Sequence, residues 1–277
     1  MDKDVAVVIG VGGMGLAIAR RVGGGHRVLL ADFHATTLNT ATEQLRSEGH
    51  HVTAQPVDVS DPDSVISLAD AAAGLGRVTH VVHTAGLSPV QAPPEAILRV
   101  DLVGVAVVLQ EFARIIAPGG AGVVIASMAG HFLPTLAVAE ERALAMTPAK
   151  ELLDLPFLAP DVVDSSAAAY VLAKRANALR VQAAAISWGE RGARVNSISP
   201  GVISTPMGQQ ELAGESGEQM RAMVAMSATK RLGTPDDIAA AAAFLLGPQA
   251  SFVTGTDLLV DGGAVAAVRA LIPADHH

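Results

Sequence analysis

The sequence predicts an α/β fold, with a doubly wound, mostly parallel sheet of about seven strands and helices on both faces. Short β-branched runs alternate with longer Ala- and Leu-rich segments, and this alternation with short connections is typical of right-handed βαβ units. Half of the 277 residues are hydrophobic but only 3% are aromatic. The core is therefore expected to consist of Ala, Val, Leu and Ile, as in parallel sheets covered by helices.

The chain is predicted to form a single domain, 1–277, with two excursions from the strand–helix rhythm at 131–165 and 202–232. The third helix has a clear start, because Asp61 can cap it and Pro62 fits the first helical position. The predicted strands are 5–9, 27–31, 51–55, 78–82, 122–126, 194–198 and 257–261. The predicted helices are 14–23, 35–48, 62–74, 95–117, 167–189 and 236–246.

Composition excludes several classes of function. A net charge of −8 without a long basic run argues against a nucleic-acid partner. The absence of cysteine excludes disulfides and thiolate metal sites, and we expect no metal centre. No run of eighteen apolar residues is free of charge or of a Gly or Pro break, so no membrane span is expected. The start of the chain lacks the basic charge of a signal peptide, which favours a cytoplasmic protein.

A glycine-rich turn follows the first strand and leads into a helix. Gly10, Gly12 and Gly15 form the pattern G-x-G-x-x-G, with Gly13 and Met14 inside it. The first glycine permits a tight turn, the second lets the backbone approach a pyrophosphate, and the third allows close helix–strand packing. The helix start adds unpaired N–H groups that attract an anion. The turn therefore predicts a dinucleotide site.

Asp32 ends the second strand, where a carboxylate can bind the ribose hydroxyls of the dinucleotide. Because a carboxylate would repel a 2′-phosphate, Asp32 favours NAD(H) over NADP(H), and the adjacent Phe33 is expected beside the same ligand. The alternative is that Asp32 serves only as the N-cap of the next helix.

Two further strand ends fit the same ligand. Asp58 and Val59 follow the third strand and are candidates for contact with adenine, whereas Ala85 and Gly86 follow the fourth and let a cofactor lie against the backbone. The alternative is that each pair is a simple turn at a strand end. The carboxyl ends of parallel strands share one edge of the sheet, which favours the cofactor interpretation.

Tyr170 and Lys174 are four residues apart on a strong predicted helix, so they share one face. A phenol titrates near 10 and is a poor base at neutral pH, but a neighbouring ammonium is expected to lower its pKa. Tyr170 is then a candidate for proton transfer to or from an alcohol, with Ser127 orienting the substrate oxygen. Taken singly, each of these residues more often has a structural role than a catalytic one.

Together these motifs resemble the short-chain dehydrogenase/reductase family, a group of NAD(P)-dependent enzymes with the Rossmann fold, and the resemblance covers nearly the whole chain. The residues that match are Gly10–Gly15, Asp32, Asp58-Val59, Ala85-Gly86, Ser127, Tyr170 and Lys174, "RVNSISPGVISTPM" at 194–207, "GTPDDIAAAAAFLL" at 233–246 and "VTGTDLLVDGG" at 253–263.

The resemblance implies a catalytic set of Ser127, Tyr170 and Lys174, in which Lys174 also holds the nicotinamide ribose. It implies that Pro200, Gly201, Val202 and Thr205 line the nicotinamide. It also implies a homo-oligomer, a dimer or a homotetramer, that pairs through the helices near 95–117 and 167–189.

Three features depart from the family pattern. The glycine turn is one residue shorter than usual, and "HTAG" replaces the usual "NNAG", which places His83 and Thr84 where two amides are typical. This second change is expected to alter loop support rather than chemistry. Asp101 stands where an Asn usually helps to hold a water of the proton relay through its backbone carbonyl and a local helix irregularity. We expect Asp101 to substitute, to stabilise Lys174 as a cation and to shift the pH optimum.

The excursion 131–165 separates Ser127 from Tyr170 by more chain than the family usually has. It is predicted to contain one or two short helices, one of them starting with Thr147 as N-cap and Pro148 at the first position. One interpretation is a lid or wall that makes the pocket deeper and more apolar. The other is an oligomer contact or a patch packed on its own domain. His131 is either a surface or capping residue or a substrate contact.

The excursion 202–232 contains four methionines and, by the resemblance, is the substrate-binding loop. The expected function is transfer of a hydride between NAD(H) and a secondary alcohol or ketone, with a bulky apolar substrate such as a steroid, a terpenoid or a long acyl chain. The alternatives are an NADP-dependent 3-oxoacyl reductase and a cofactor-binding regulatory protein without turnover.

Overall fold

A computed structural model describes residues 3–133, 136–214 and 216–271 of the protein. The strands are β1 (Asp4–Ile9), β2 (Arg27–Asp32), β3 (His51–Pro56), β4 (Arg77–His83), β5 (Ile116–Ile125), β6 (Arg194–Pro200) and β7 (Asp257–Val260). The α-helices are α1 (Gly13–Val22), α2 (Ala35–Ser47), α3 (Pro62–Leu75), α4 (Pro94–Ile97), α5 (Val105–Ile115), α6 (Val138–Met146), α7 (Ser166–Glu190), α8 (Pro206–Ala213), α9 (Gly217–Met226), α10 (Pro235–Leu246) and α11 (Ala264–Ala270).

The seven strands form one sheet in the order β3-β2-β1-β4-β5-β6-β7, and every neighbouring pair is parallel. The chain runs outward from β1 to β3, then returns to place β4 beside β1 and continues in the other direction. The carboxyl ends of β1 and β4 thus flank the switch point where ligands bind in sheets of this kind. The predicted fold class is confirmed.

Side chains of alternate strand residues pack on opposite faces of the sheet. Val7 and Ile9 belong to a core cluster with α3, α5 and α7, whereas Val8 belongs to a second cluster with α1, α2 and α10. The pleat of a strand makes this alternation unavoidable. Both faces are buried, which explains the nearly continuous apolar runs in the sequence.

The elements near β5 differ from the prediction. β5 begins at Ile116 rather than at 122, because Ile116 already pairs with Val78 before the Pro and Gly residues that follow it. The long helix predicted at 95–117 is α4, a π-helical segment (Leu98–Gly104) and α5 in succession. Such wide turns occur mostly at functional sites, and this one contains Asp101.

The excursion 131–165 packs on its own domain. Leu144, Leu152, Leu158 and Val163 are all buried in the core cluster that also contains residues of α7 and of the π-helical segment. Two arginines of α7 join the contact: Arg175 pairs with Glu141, and Arg180 donates to the carbonyls of Leu144 and Thr147 at 2.8 and 3.0 Å. Arg180 thereby satisfies carbonyls at the open end of α6.

Within this excursion the predicted helix start at Thr147 is wrong. Thr147 is the C-cap of α6, and the following residues Ala149–Asp154 form a 3-10 helix with Pro148 as its N-cap. Pro148 fits the start of a helical turn, as predicted, but the turn continues only in short 3-10 segments, the second at Pro156–Leu158. Short helical segments are marginal without tertiary packing, and here the buried Leu152 supplies it.

Among the described residues, none of the helices is both long enough and apolar enough to cross a membrane. In the same ranges, no cluster of three or more His, Asp or Glu side chains has the geometry to hold a metal ion.

Replacing Arg180 by Ala should destabilise the protein by about 1–3 kcal/mol, because two carbonyls at the end of α6 lose their donor in a half-buried place. Thermal or urea unfolding measures the change. Arg142→Ala, at an exposed position of α6, is the control and should change stability by less than about 0.5 kcal/mol. Equal stability of the two variants would contradict the bracing role of Arg180.

Candidate active site

The glycine turn at the end of β1 is packed too closely for side chains at two positions. Gly10 has a φ of +86°, and a Cβ there would lie 2.5 Å from the backbone N of Ala85. A Cβ at Gly15 would overlap the carbonyl oxygen of Gly10. Thr84 supports the same turn, since its hydroxyl donates to the Gly10 carbonyl at 2.7 Å. The first helical turn is thus fixed against the ends of β1 and β4.

Gly12 differs from these two glycines. It is the N-cap of α1, it makes no side-chain cap, and a Cβ there would meet nothing within 4 Å. The first N–H groups of a helix have no intrahelical partner, so those of Gly13 and Met14 favour an anion. A dinucleotide pyrophosphate fits this place.

Asp32 lies beside the turn and stabilises it. Its Oδ2 accepts the N–H of Val11 at 2.8 Å, and its Oδ1 accepts the N–H of His34 at the same distance. The N-cap of α2 is His34, so the alternative in which Asp32 itself caps this helix is wrong. The side chain of the neighbouring Phe33 is 66% exposed at this edge, where it can cover a ligand.

The residues after β3 are used locally. Asp58 Oδ1 accepts the backbone N–H and the hydroxyl of Ser60 at 2.9 and 2.6 Å, and Asp58 N–H donates to Ser64. Val59 is buried, and its carbonyl would lie 2.9 Å from a Cβ on Gly104. The Val59 side chain therefore packs in the core. Adenine contact by these two residues stays a prediction.

Ser127, Tyr170 and Lys174 come together where β5 ends and α7 begins. Ser127 follows β5 as the N-cap of a short 3-10 turn, and its Oγ accepts the N–H of Ala129 at 3.1 Å. Ser165 caps α7, so Tyr170 and Lys174 lie in its first turns on one face. The Lys174 ammonium lies 5.3 Å from the centre of the Tyr170 ring. The three residues are distant in sequence but adjacent in the fold.

Lys174 and Asp101 form a buried ion pair. Lys174 Nζ lies 2.8 Å from Asp101 Oδ2, and Asp101 Oδ1 accepts the N–H of Leu87 at 2.7 Å. A Cβ at Gly86 would lie 3.0 Å from Asp101 Oδ2 and 3.1 Å from Lys174 Nζ. Gly86 therefore allows the backbone after β4 to pack on the ion pair.

Burial raises the pKa of Tyr170 above its ordinary value, although the Lys174 ammonium and a hydrogen bond with Ser127 act in the opposite direction. Lys174 thus acts on the phenol pKa in the expected direction, but the expected net fall does not occur, because removal of the phenolate from water outweighs the cation. For Lys174, burial by itself would lower the pKa, but Asp101 and Tyr170 outweigh it and the pKa lies above its ordinary value.

Two ionisable groups near Lys174 escaped the sequence analysis as site residues. His83, at the end of β4, is fully buried, and burial together with Lys174 lowers its pKa to about 3, so the ring is neutral. Glu211 of α8 is half-buried, and burial raises its pKa while Lys174 lowers it. Nothing in the sequence distinguishes Glu211 from the other acidic residues of the loop 202–232.

The segment after β6 approaches the glycine turn. A Cβ at Gly13 would lie 2.9 Å from Cγ2 of Thr205, so the start of α8 touches the start of α1. The Thr205 hydroxyl caps α8 by accepting the N–H of Gly208 at 3.1 Å. Pro200 ends β6, Gly201 packs on Asp261, and Val202 is buried in a small third core cluster.

His131 does not cap a helix. Its Nε2 lies 2.8 Å from Asp257 Oδ2, and the same carboxylate accepts the hydroxyls of Ser197 and Ser199 at 2.6 and 2.8 Å. The contact ties the 3-10 turn after Ser127 to β6 and β7. A structural role for His131 accounts for all of its contacts.

The Gly12→Ala and Gly15→Ala variants separate packing from ligand binding. Gly12→Ala should leave the thermal unfolding temperature unchanged yet weaken dinucleotide binding at least about tenfold, since its methyl group enters only the space that the ligand needs. Gly15→Ala should lower both stability and binding, because its methyl group meets the Gly10 carbonyl. Gly74→Ala, which also meets nothing, is the control. If Gly12→Ala binds the dinucleotide as well as the unmodified protein does, the dinucleotide does not bind beside Gly12.

Family models and known relatives match nearly the whole chain. A model described as short chain dehydrogenase matches residues 4–139, and one described as Enoyl-(Acyl carrier protein) reductase matches residues 133–265. The chain is 46% identical over 267 residues to the short-chain dehydrogenase/reductase bsc3 of Alternaria brassicicola, covering 96% of this chain and 97% of the relative. It is 30% identical to cis-4-hydroxycyclohexanecarboxylate dehydrogenase of Sinomonas cyclohexanicum, over 95% and 97% of the two chains.

Among solved structures, a variant of actinorhodin polyketide ketoreductase with NADPH superposes with a TM-score of 0.75 at 25% identity, covering 95% of this chain and 96% of that one. Sequence relatives and structural neighbours thus carry the same fold and the same class of chemistry. The chain belongs to the short-chain dehydrogenase/reductase family, and it is an oxidoreductase that acts on alcohol or ketone groups with a nicotinamide cofactor, NAD or NADP.

Proposed function

We propose that the protein interconverts a secondary alcohol and a ketone with NAD(H), and that its substrate is bulky and apolar. The observation that carries the proposal is the dipeptide Ala85-Gly86. Ala85 packs against Gly10 of the glycine turn, and the next residue packs against Lys174 and Asp101. The dinucleotide cradle and the Tyr170–Lys174 pair are therefore two ends of one site.

The cofactor is expected to lie along the carboxyl edge of the sheet. The N–H groups of Gly13 and Met14 would bind its pyrophosphate, and Asp32 would bind the adenosine ribose. Pro200, Gly201, Val202 and Thr205 would line the nicotinamide end, which the contact between Thr205 and Gly13 supports. The bound nicotinamide supplies the hydride acceptor for alcohol oxidation or the hydride donor for ketone reduction.

Tyr170 handles the proton. In oxidation its phenolate accepts the hydroxyl proton of the substrate as the hydride leaves the carbinol carbon, and in reduction its phenol returns that proton to the carbonyl oxygen. Ser127 lies beside the phenol and orients the same substrate oxygen. Lys174 favours the phenolate by its charge and is near enough to hold the nicotinamide ribose.

Asp32 supports NAD(H) as the cofactor. Its two oxygens already accept backbone N–H groups of Val11 and His34, which fixes the carboxylate beside the turn. A 2′-phosphate placed there would meet like charge. The solved ketoreductase that superposes on this chain holds NADPH, so the choice between cofactors needs a direct measurement.

NADH should bind at least about tenfold more tightly than NADPH, a difference of about 1.4 kcal/mol. Asp32→Asn keeps an acceptor oxygen for the Val11 N–H but removes the charge, so it should narrow this ratio. Fluorescence titration with both reduced cofactors gives the dissociation constants. Asp63→Asn, in an exposed turn of α3, should leave the ratio unchanged. Tighter binding of NADPH by the unmodified protein would favour the 3-oxoacyl reductase alternative instead.

The substrate space that we propose beside Tyr170 would be lined by apolar side chains of neighbouring segments. Leu87, Phe132 and Leu212 are all partly buried and packed against the core clusters next to the site. The loop after β4 approaches the end of α8, where Val90 lies beside Gly214. These apolar neighbours support a bulky apolar alcohol or ketone.

The excursion 131–165 contributes to this pocket mainly through its first residues, since its later apolar residues pack on α7. That packing also covers part of the helix through which the family resemblance predicts pairing. A homo-oligomer stays a prediction, and its contact would have to use the remaining surface of α5 and α7 or another face.

A screen that compares steroid, terpenoid and long-chain secondary alcohols and ketones with polyols should show at least about tenfold higher kcat/KM for the apolar compounds.

With the best substrate, Tyr170→Phe should lower kcat by about 10²–10⁴-fold, because only the proton-carrying hydroxyl is lost. NADH titration and thermal unfolding of the variant should match the unmodified protein. Turnover that survives this substitution would show that Tyr170 does not transfer the proton, and a protein without any turnover would act in cofactor binding alone.

A further inference from the structure

The ammonium that assists Tyr170 already has a counter-ion. Lys174 and Asp101 are 6% and 0% exposed, and their charged atoms lie 2.8 Å apart. We propose that Asp101 is a positioning residue whose carboxylate fixes the Lys174 ammonium and offsets its charge, so that Tyr170 faces a compact ion pair rather than a lone cation. The proposal deepens the proposed function, on which its consequence for catalysis rests.

The carboxylate of Asp101 is itself held in place. The π-helical segment carries it in its first turn, and the Leu87 N–H binds the oxygen that Lys174 does not use. Gly86 packs so closely on the pair that a Cβ would press on both charged atoms. The Leu87 N–H and the Lys174 ammonium thus bind the two oxygens of Asp101, and this contact joins three neighbouring elements.

The other groups that face Lys174 do not replace this partner. Tyr170 presents its ring from one helical turn earlier on α7, and His83 of β4 is neutral because burial lowers its pKa to about 3. The charge of Glu211 on α8 also raises the pKa of Lys174, but among the described residues Glu211 makes no ion pair with Lys174 within hydrogen-bond distance. Asp101 is the counter-ion in contact.

The sign of the effect follows from the charges. Asp101 raises the pKa of Tyr170 and Lys174 lowers it. In a variant without the Asp101 charge, Glu211 and Tyr170 still raise the pKa of Lys174, so the ammonium stays charged but loses its main offset. Tyr170 should then lose its proton at lower pH. In alcohol oxidation, where the phenolate is the base, the acid limb of the pH profile should move to lower pH. In ketone reduction, where the phenol is the acid, the alkaline limb of the pH profile should also move to lower pH.

Because Tyr170 is the only tyrosine of the chain, its ionisation can be measured directly from the ultraviolet absorbance of the phenolate. Asp101→Asn keeps an oxygen for the Leu87 N–H and removes the charge. We expect the pKa of Tyr170 to fall by at least about one unit, as for a phenol beside an uncompensated cation. Glu111→Gln removes another buried carboxylate, on α5, and should leave the titration unchanged. Tyr170→Phe gives the blank.

An unchanged or higher Tyr170 pKa in Asp101→Asn would overturn the proposal. Circular dichroism and thermal unfolding check that the variant folds, and Asp101→Ser, which leaves a smaller polar side chain beside Lys174, is the second variant with the same expected fall. The titration uses neither cofactor nor substrate, so its failure is independent of the proposed function.

A substrate from the screen gives the second readout. The acid limb of kcat/KM for alcohol oxidation should move to lower pH in Asp101→Asn by the same amount as the titration, whereas a merely structural role would lower kcat without moving the limb. Such a stationary limb would overturn the catalytic consequence. A protein that oxidises no alcohol while its Tyr170 titration shifts as expected would instead overturn the proposed function and retain the ion-pair assignment.

Discussion

The buried contact between Lys174 and Asp101 is the interaction on which the arrangement of the site depends. Two charges taken out of water cost several kcal/mol each unless they meet in good geometry and their remaining atoms are bonded. Here the ammonium meets one carboxylate oxygen and the Leu87 N–H binds the other. The pair therefore joins α7, the π-helical segment and the loop after β4, three elements that must keep their relative positions for the charges to remain compensated.

Close approach without side chains connects this pair to the cofactor cradle. Gly10, Gly15 and Gly86 each stand where a Cβ would meet a neighbouring atom at 3.0 Å or less. Such contacts bring β1, α1 and the end of β4 together at the switch point of the sheet, where unpaired helix N–H groups already favour a phosphate. At Gly12, by contrast, the same turn leaves space beside the helix N-terminus, where the proposed pyrophosphate site would lie.

Burial has opposite consequences for the groups of the site. It raises the pKa of Tyr170 and holds His83 neutral, while the pKa of Lys174 lies above its ordinary value because Asp101, Tyr170 and Glu211 together outweigh burial. A sequence shows which residues are present but not how far each is removed from water. That is why the cation beside Tyr170 could be predicted from the sequence, whereas the direction in which the pKa of Tyr170 shifts could not.

The sequence by itself determined most of the strand and helix pattern, the glycine turn and the position of Asp32 at the end of a strand. It also determined that Tyr170 and Lys174 share one face of a helix, because all of these follow from local periodicity and spacing. Only the tertiary structure decided that Asp101 contacts Lys174 directly, that Val59 packs in the core, and that Thr147 ends one helix rather than starting the next. It also showed that the apolar residues of the excursion 131–165 cover α7. Each of these depends on which surfaces meet across long stretches of chain, and no local pattern specifies that.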